Sequence, residues 1–291
     1  MTLHVVYRST ASENAARRPA FYSKDVALAS FQGALEGSGE ELGDVVFLND
    51  GDGMPPDRVA RMRSLGEVTQ LAGLGNSGSY RFALTLLTTR PWSDDDLVYF
   101  SEDDYLYRRN ALGALGAVAR AVPEASYFTL YDYPGFHAAG HAGAGPDDQG
   151  KQQEYLRRHR RKHWRVDSVD WRAVRSTTMS FGARVGELRR DAWIHLLGTN
   201  TPTPDDGFIW DATHSFPVWT TLPAVFLALH RRRSLRWRLR GGLGFVGDYW
   251  TAKDRLLLAP SPGLATHLHL PYLAPDVDWD AEAARARLTL D

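Results

Sequence analysis

Short apolar runs alternate with stretches of helical period through the first half of the chain. "LHVVYR", "DVVFLND", "DLVYFSED" and "SYFTLYD" read as strands, while Lys24 to Glu36, "SYRFALTLL" and about Asn110 to Ala121 read as helices. Strands interleaved with helices predict an α/β fold with a mostly parallel central sheet flanked by helices. Ligands of such sheets bind beyond the carboxyl ends of the strands. Here those ends read "YRST", "LNDGDG", "SEDD" and "YDYP", so the predicted site is one polar edge of the sheet.

The second half is less regular. "HAAGHAGAGPDDQG", residues 137–150, has no hydrophobic period and predicts a mobile loop. "KQQEYLRRHRRKHWR" reads as an exposed basic helix, and "STTMSFGAR" as a further buried strand. A second basic run, "HRRRSLRWRLR", precedes a C-terminal stretch rich in proline and turn signals. There is no internal repeat, and composition changes little across the loop. The pattern predicts a single domain over residues 1–291 built from two halves, 1–135 and 151–291.

At 291 residues the chain can bury a sizeable core, and its formal net charge of −1 speaks against nucleic acid as a partner. Without cysteine, any metal must use oxygen and imidazole ligands, and no disulfide contributes. The chain opens on a strand-like run, and no segment approaches the roughly 18 apolar residues of a membrane span. These features predict a soluble, cytoplasmic protein.

Three consecutive acids, Glu102, Asp103 and Asp104, end the strand "LVYF". Side-chain alternation along a strand predicts Glu102 and Asp104 on one side and Asp103 pointing away. Two carboxylates placed together can share a hard cation such as Mn²⁺ or Mg²⁺. Alternatively the acids cap the next helix or face water. Left alone, three adjacent carboxylates repel one another unless a cation or basic groups answer them.

"VYFSEDDYLY" resembles the DxD-type segment of nucleotide-sugar-dependent glycosyltransferases of the GT-A fold, family 2-like, and other stretches fall in that family's order. "HVVYRST" is similar to their first nucleotide-binding strand and "VVFLNDGD" to their second. "GLGNSGSYRFAL" resembles the Asn-Gly segment that lies along the nucleotide and donor sugar. The present cluster is Glu-Asp-Asp rather than Asp-x-Asp. The resemblance implies a GT-A, Rossmann-like domain whose 1–135 half binds the nucleotide sugar and whose 151–291 half binds the acceptor. It implies a divalent ion, Mn²⁺ or Mg²⁺, on Asp104, Glu102 and His267, with His269 of the same "ATHLHL" as the alternative histidine. It further implies that Asp50 accepts from the nucleobase, and that Arg8, Lys24, Asn76, Gly78, Arg81, Glu102 and Asp103 attend the ribose or diphosphate. On their own residues, Arg8 and Lys24 also read as surface charge, Asn76 and Gly78 as a tight turn, and either histidine as a plain surface or core residue.

An acceptor hydroxyl must lose its proton to attack, and a positioned carboxylate is the usual base. The resemblance gives Asp206, with Asp205 beside it, that role in an inverting reaction. The same "TPDDGFIW" also reads as a helix start with Thr203 as N-cap and Pro204 in the first helical position. The basic runs read as solvated helix faces, the second also as a surface for an anionic partner. The expected protein is thus a metal-dependent glycosyltransferase using a nucleoside diphosphate sugar and an unidentified acceptor. The alternatives are a sugar nucleotidyltransferase, or a non-catalytic protein that binds a nucleotide sugar or nucleic acid.

Overall fold

The computed structural model describes residues 1–13, 16–39, 42–137, 148–214 and 255–290. The first half runs β1 (Leu3–Thr10), α1 (Lys24–Glu36), β2 (Leu42–Asp50), α2 (Pro56–Leu65), β3 (Glu67–Leu71), α3 (Gly75–Thr89), β4 (Leu97–Glu102), β5 (Tyr105–Tyr107), α4 (Ala111–Ala121) and β6 (Ala125–Phe128). The second adds α5 (Asp148–Arg158), β7 (His163–Val166), β8 (Val169–Ala173), β9 (Phe181–Arg184), α6 (Val185–Gly198), α7 (Asp206–Thr213), β10 (Leu256–Ser261), β11 (Ala265–His267) and α8 (Trp279–Arg287).

Nine strands form one sheet in the order β3-β2-β1-β4-β9-β6-β10-β8-β7, so both halves of the chain contribute to it. The pairings β1–β2, β1–β4, β2–β3 and β6–β10 are parallel, and only β8 and β9 run against the rest. This is the mostly parallel, helix-flanked sheet that the alternating pattern predicts. β1 sits deep inside: every position from Leu3 to Arg8 is buried, which is why it reads as a continuous rather than alternating apolar run. A two-stranded sheet pairs β11 with β5 and sets His267 opposite Tyr105.

The core divides between the two faces. On one face lie Phe31 of α1, Met62 of α2, Leu112 of α4, Tyr155 of α5 and Trp279 of α8. On the other lie Tyr80 of α3, Leu188 of α6 and Trp210 of α7. The crossover α1 leads outward from β1 to β2, whereas α3, on the opposite face, brings the chain back from β3 to β4. The direction of winding therefore reverses between β1 and β4. β1 and β4 stay paired as far as Arg8 and Glu102, and the segments that follow them lead to opposite edges of the sheet, which leaves a crevice beyond those ends.

Several boundaries differ from the sequence expectation. The basic helix stops at Arg158, and its continuation pairs as the strand β7. The predicted loop is cut short, because Asp148 to Gly150 belong to α5. Its residues 138–147 lie outside the described residues, as do His230 and the whole run "HRRRSLRWRLR". α3 begins at Gly75, so Asn76 and Gly78 lie in its first turn rather than in a turn before it. Among the described residues no helix is long and apolar enough to cross a membrane.

Burial also sets an acid limit on stability. His195 of α6 is fully buried, with Nδ1 2.8 Å from the Tyr80 hydroxyl, and desolvation pushes its pKa down to about 3. The unfolded chain takes up that proton near pH 6.5 and the folded chain does not, so stability is lost as pH falls below 6.5. At pH 5 this one group costs about 2 kcal/mol. Urea unfolding at pH 7.5 and pH 5 is expected to show His195→Gln losing less stability on acidification than the native chain, by about that amount. Equal losses would show that His195 is not kept neutral.

Candidate functional site

A cavity of about 440 Å³ opens where β1, β2 and β4 end. Arg8 and Glu102 face each other in register at the ends of β1 and β4. Arg8 Nη2 donates to Glu102 Oε1 at 2.7 Å, while Nη1 reaches the carbonyl and Oδ1 of Asn76 at 2.9 and 3.0 Å and Ser79 Oγ at 3.2 Å. Arg8 therefore ties β1 to β4 and to the first turn of α3.

β4 ends at Glu102, and Asp103 and Asp104 form the turn into β5. The strand rule that sends Asp103 away from its neighbours does not apply in a turn, and all three acids line the cavity. Asp103 Oδ2 accepts from Ser9 Oγ at 2.8 Å, the Thr10 amide at 2.9 Å and Lys24 Nζ at 2.7 Å. Lys24 also donates to the Thr10 carbonyl at 2.6 Å, fastening the start of α1 to the end of β1. Arg8 and Lys24 are both buried, which excludes the reading of either as plain surface charge.

Asp104 Oδ2 accepts from His267 Nε2 at 3.0 Å and from Arg18 Nη2 at 3.1 Å. The His267 ring lies nearly parallel to Tyr105, with centroids 5.1 Å apart, as the pairing of β11 with β5 requires. Burial works to raise the Asp104 pKa, but His267 and Arg18 outweigh it and hold the carboxyl down at about 2. Burial likewise works to lower His267, and Asp104 and Glu102 outweigh it, so the imidazole is shifted up. Glu102 moves the other way: burial raises it, Arg8 opposes, and the neighbouring Asp104 and Asp103 charges add to the rise. Within three residues the chain thus holds one strongly ionised carboxyl and one with an enhanced hold on its proton.

Asp50 stands at the cavity rim, and its two oxygens accept from the amides of Leu74 and Gly75, each at 2.6 Å. Gly75 has φ of +73°, a conformation that lets the chain turn into α3 while aiming its N–H at Asp50. Arg81 lies elsewhere: Nε donates to Thr199 Oγ1 at 2.6 Å and Nη2 to the Thr199 carbonyl, which joins α3 to the end of α6. Neither Arg81 nor Gly78 lines the cavity.

Asp205, not Thr203, is the N-cap of α7, its Oδ1 accepting from the Phe208 amide at 2.9 Å. The helix consequently starts two residues later than the Thr-Pro signature predicts. Asp206 is exposed in the first turn, and neither acid is among the residues lining the cavity. The loop leading to them nevertheless sits on α3, with the Ser77 hydroxyl and amide donating to the carbonyls of Thr201 and Pro202 at 2.6 and 3.2 Å. His269 stacks on Tyr272 at 5.1 Å, next to His267.

The donor set fits a hard divalent cation. Arg8, Arg18 and Lys24 bring three positive charges to the lining, against five carboxylates from Glu13, Asp50, Glu102, Asp103 and Asp104, a formal excess of two negative charges. Carboxylate oxygens and an imidazole nitrogen, here from Glu102, Asp104 and His267, are ligand types that such an ion takes. Among the described residues no three ligating side chains already converge on one point. Glu102 and Asp104 are each held by an arginine instead. Arg18 had no signal in the sequence: it lies in an irregular segment 86 residues from Asp104.

The sequence matches no family model, and no curated protein is similar to it in sequence. Solved structures do resemble the chain. Glucosyl-3-phosphoglycerate synthase from Mycobacterium tuberculosis, in complex with Mn²⁺, UDP and glucosyl-3-phosphoglycerate, aligns over 64% of this chain at 10% identity and a TM-score of 0.39. S. aureus TarS aligns over 72% at 12% identity and a TM-score of 0.43. 4-Diphosphocytidyl-2C-methyl-D-erythritol synthase aligns over 72% at 12% identity and a TM-score of 0.39. The matches span 58%, 33% and 83% of those three chains, respectively.

Proposed function

We propose that the chain is a metal-dependent glycosyltransferase that moves a sugar from a nucleoside diphosphate sugar to an acceptor hydroxyl, with inversion. The observation that carries this reading is the cavity at the reversal between β1 and β4, whose lining brings five carboxylates, Glu102 and Asp104 among them, against three cations, with His267 bonded to Asp104 from just outside that lining. Such a lining repels a diphosphate by itself and accepts it together with a divalent cation. Asp104, His267 and Glu102 would hold Mn²⁺ or Mg²⁺, which when bound supplies Lewis-acid stabilisation of the charge on the departing diphosphate.

The chain's own residues do the rest. Arg8 and Lys24 fix the strand ends that frame the cavity, and Asp50 holds the amides of Leu74 and Gly75 at the rim where the nucleobase enters. The first turn of α3, with Asn76 against Arg8, borders the ribose and phosphates. Asp206, on the first turn of α7, is the base that takes the acceptor's proton, and Asp205 serves it by capping that helix. The acceptor enters from the side of the second half of the chain. A nucleotidyltransferase is disfavoured because such enzymes carry a glycine-rich phosphate loop after the first strand, and "YRSTASENAARRP" contains no glycine.

The test is a melting-temperature screen of UDP-, GDP-, dTDP- and ADP-linked sugars, each with Mn²⁺ and with chelator. One donor at about a hundred times its Kd is expected to raise Tm by roughly 5 °C, and only with the metal. Stabilisation by nucleoside triphosphates alone, or by no nucleotide at all, would contradict the reading.

A further inference from the structure

The three cations at the cavity are held in different ways. Lys24 is locked between Asp103 and the Thr10 carbonyl, and Arg8 is locked among Glu102, Asn76 and Ser79. Both sit on regular elements and brace the ends of β1 and β4. Arg18 comes from the irregular segment between β1 and α1. Its Nη1 donates to the Leu268 carbonyl at 2.6 Å, its Nη2 to Asp104, and its guanidinium lies 4.6 Å from the centre of the Tyr22 ring. It therefore grips, at one oxygen, the carboxylate assigned above to the metal.

We propose that Arg18 is a donor-binding residue that exchanges partners. In the free protein it is the counterion of Asp104; it leaves when a divalent cation takes that carboxylate, and it then pairs with the diphosphate that arrives with the cation. This inference rests on the donor-site reading above. Arg18 Nη2 and His267 Nε2 both stand about 3 Å from the same oxygen, Asp104 Oδ2. A dication bonded to that oxygen at about 2.1 Å would lie within a few ångströms of the guanidinium. Two cations so close repel, and in a partly desolvated cavity the repulsion is poorly screened. The released guanidinium is a planar five-donor fork suited to paired phosphate oxygens. Arg18 already lines the cavity, so it needs little travel to reach them.

Manganese binding can be read without turnover, from the electron paramagnetic resonance signal of free Mn²⁺. Without nucleotide, Arg18→Gln is expected to bind Mn²⁺ about tenfold more tightly than the native chain, because the competitor is gone. In saturating Mn²⁺ the same variant is expected to bind a nucleoside diphosphate about tenfold more weakly, because the phosphate partner is gone. Arg18→Lys, which keeps the charge without the fork, is expected to fall between in both measurements. Manganese affinity that is unchanged or weaker in Arg18→Gln, or unchanged nucleotide affinity, would overturn the exchange while leaving the donor site standing. A native chain that binds neither Mn²⁺ nor nucleotide would remove the donor site and the exchange together.

Discussion

Arg8→Met is expected to destabilise the folded chain by about 3 kcal/mol, and adding Glu102→Gln to recover most of that loss. Arg8 is buried and answers Glu102 at 2.7 Å, on a strand end that also carries Asp103 and Asp104. Methionine fills much of the same space but leaves a part-buried carboxylate with no cation, beside two like charges. It also strips Asn76 and Ser79 of a shared donor. Glutamine at 102 removes the orphaned charge, and a missing ion pair costs far less than half of one. Urea unfolding at pH 7.5 measures both variants. A single variant within about 1 kcal/mol of the native chain, or a double variant no more stable than the single, would show that the Arg8–Glu102 pair does not hold the β1 and β4 ends together.

How far the sequence discloses this arrangement depends on whether a residue's role is local. The first half is legible because β1 is a continuous buried run and α1 occupies the predicted Lys24 to Glu36, capped by Ser23. β10 is hidden: "LLLAPS" runs into a stretch rich in proline, yet it lies between β6 and β8, with Pro260 opposite Trp171. The acids of "SEDD" stand out as a run, and order along the chain points to the cavity that they line. Their partners do not stand out. Arg18 and His267 meet at Asp104 from 86 and 163 residues away, a meeting made by tertiary packing and by the pairing of β11 with β5. The orientation of Asp103 escapes the alternation rule because the strand has already ended. At α7, both Thr203 with Pro204 and Asp205 satisfy the local rules for a helix start. Only the bond from the Phe208 amide to Asp205 decides between them.

Asp104→Asn is the change expected to cost most in function. The substitution keeps the shape of the side chain and leaves an oxygen for His267 and Arg18, but removes the charge that a divalent cation requires. The Asp104 carboxyl is held down at about 2 by His267 and Arg18 against the opposing effect of burial. Loss of metal-assisted stabilisation of the leaving diphosphate is expected to lower donor turnover by about a thousandfold or more. The variant is also expected to lose about 2 kcal/mol of stability, because Arg18 and His267 lose the anion they share, so turnover is compared at a temperature where circular dichroism shows both chains folded.

The most direct measurement is calorimetric titration of a nucleoside diphosphate into the native chain and into Asp104→Asn, each with Mn²⁺ and with chelator. Affinity that depends on Mn²⁺ in the native chain and vanishes in the variant is the predicted result. Equal affinity in all four titrations, or none in any, would contradict a metal-held diphosphate at the ends of β1 and β4.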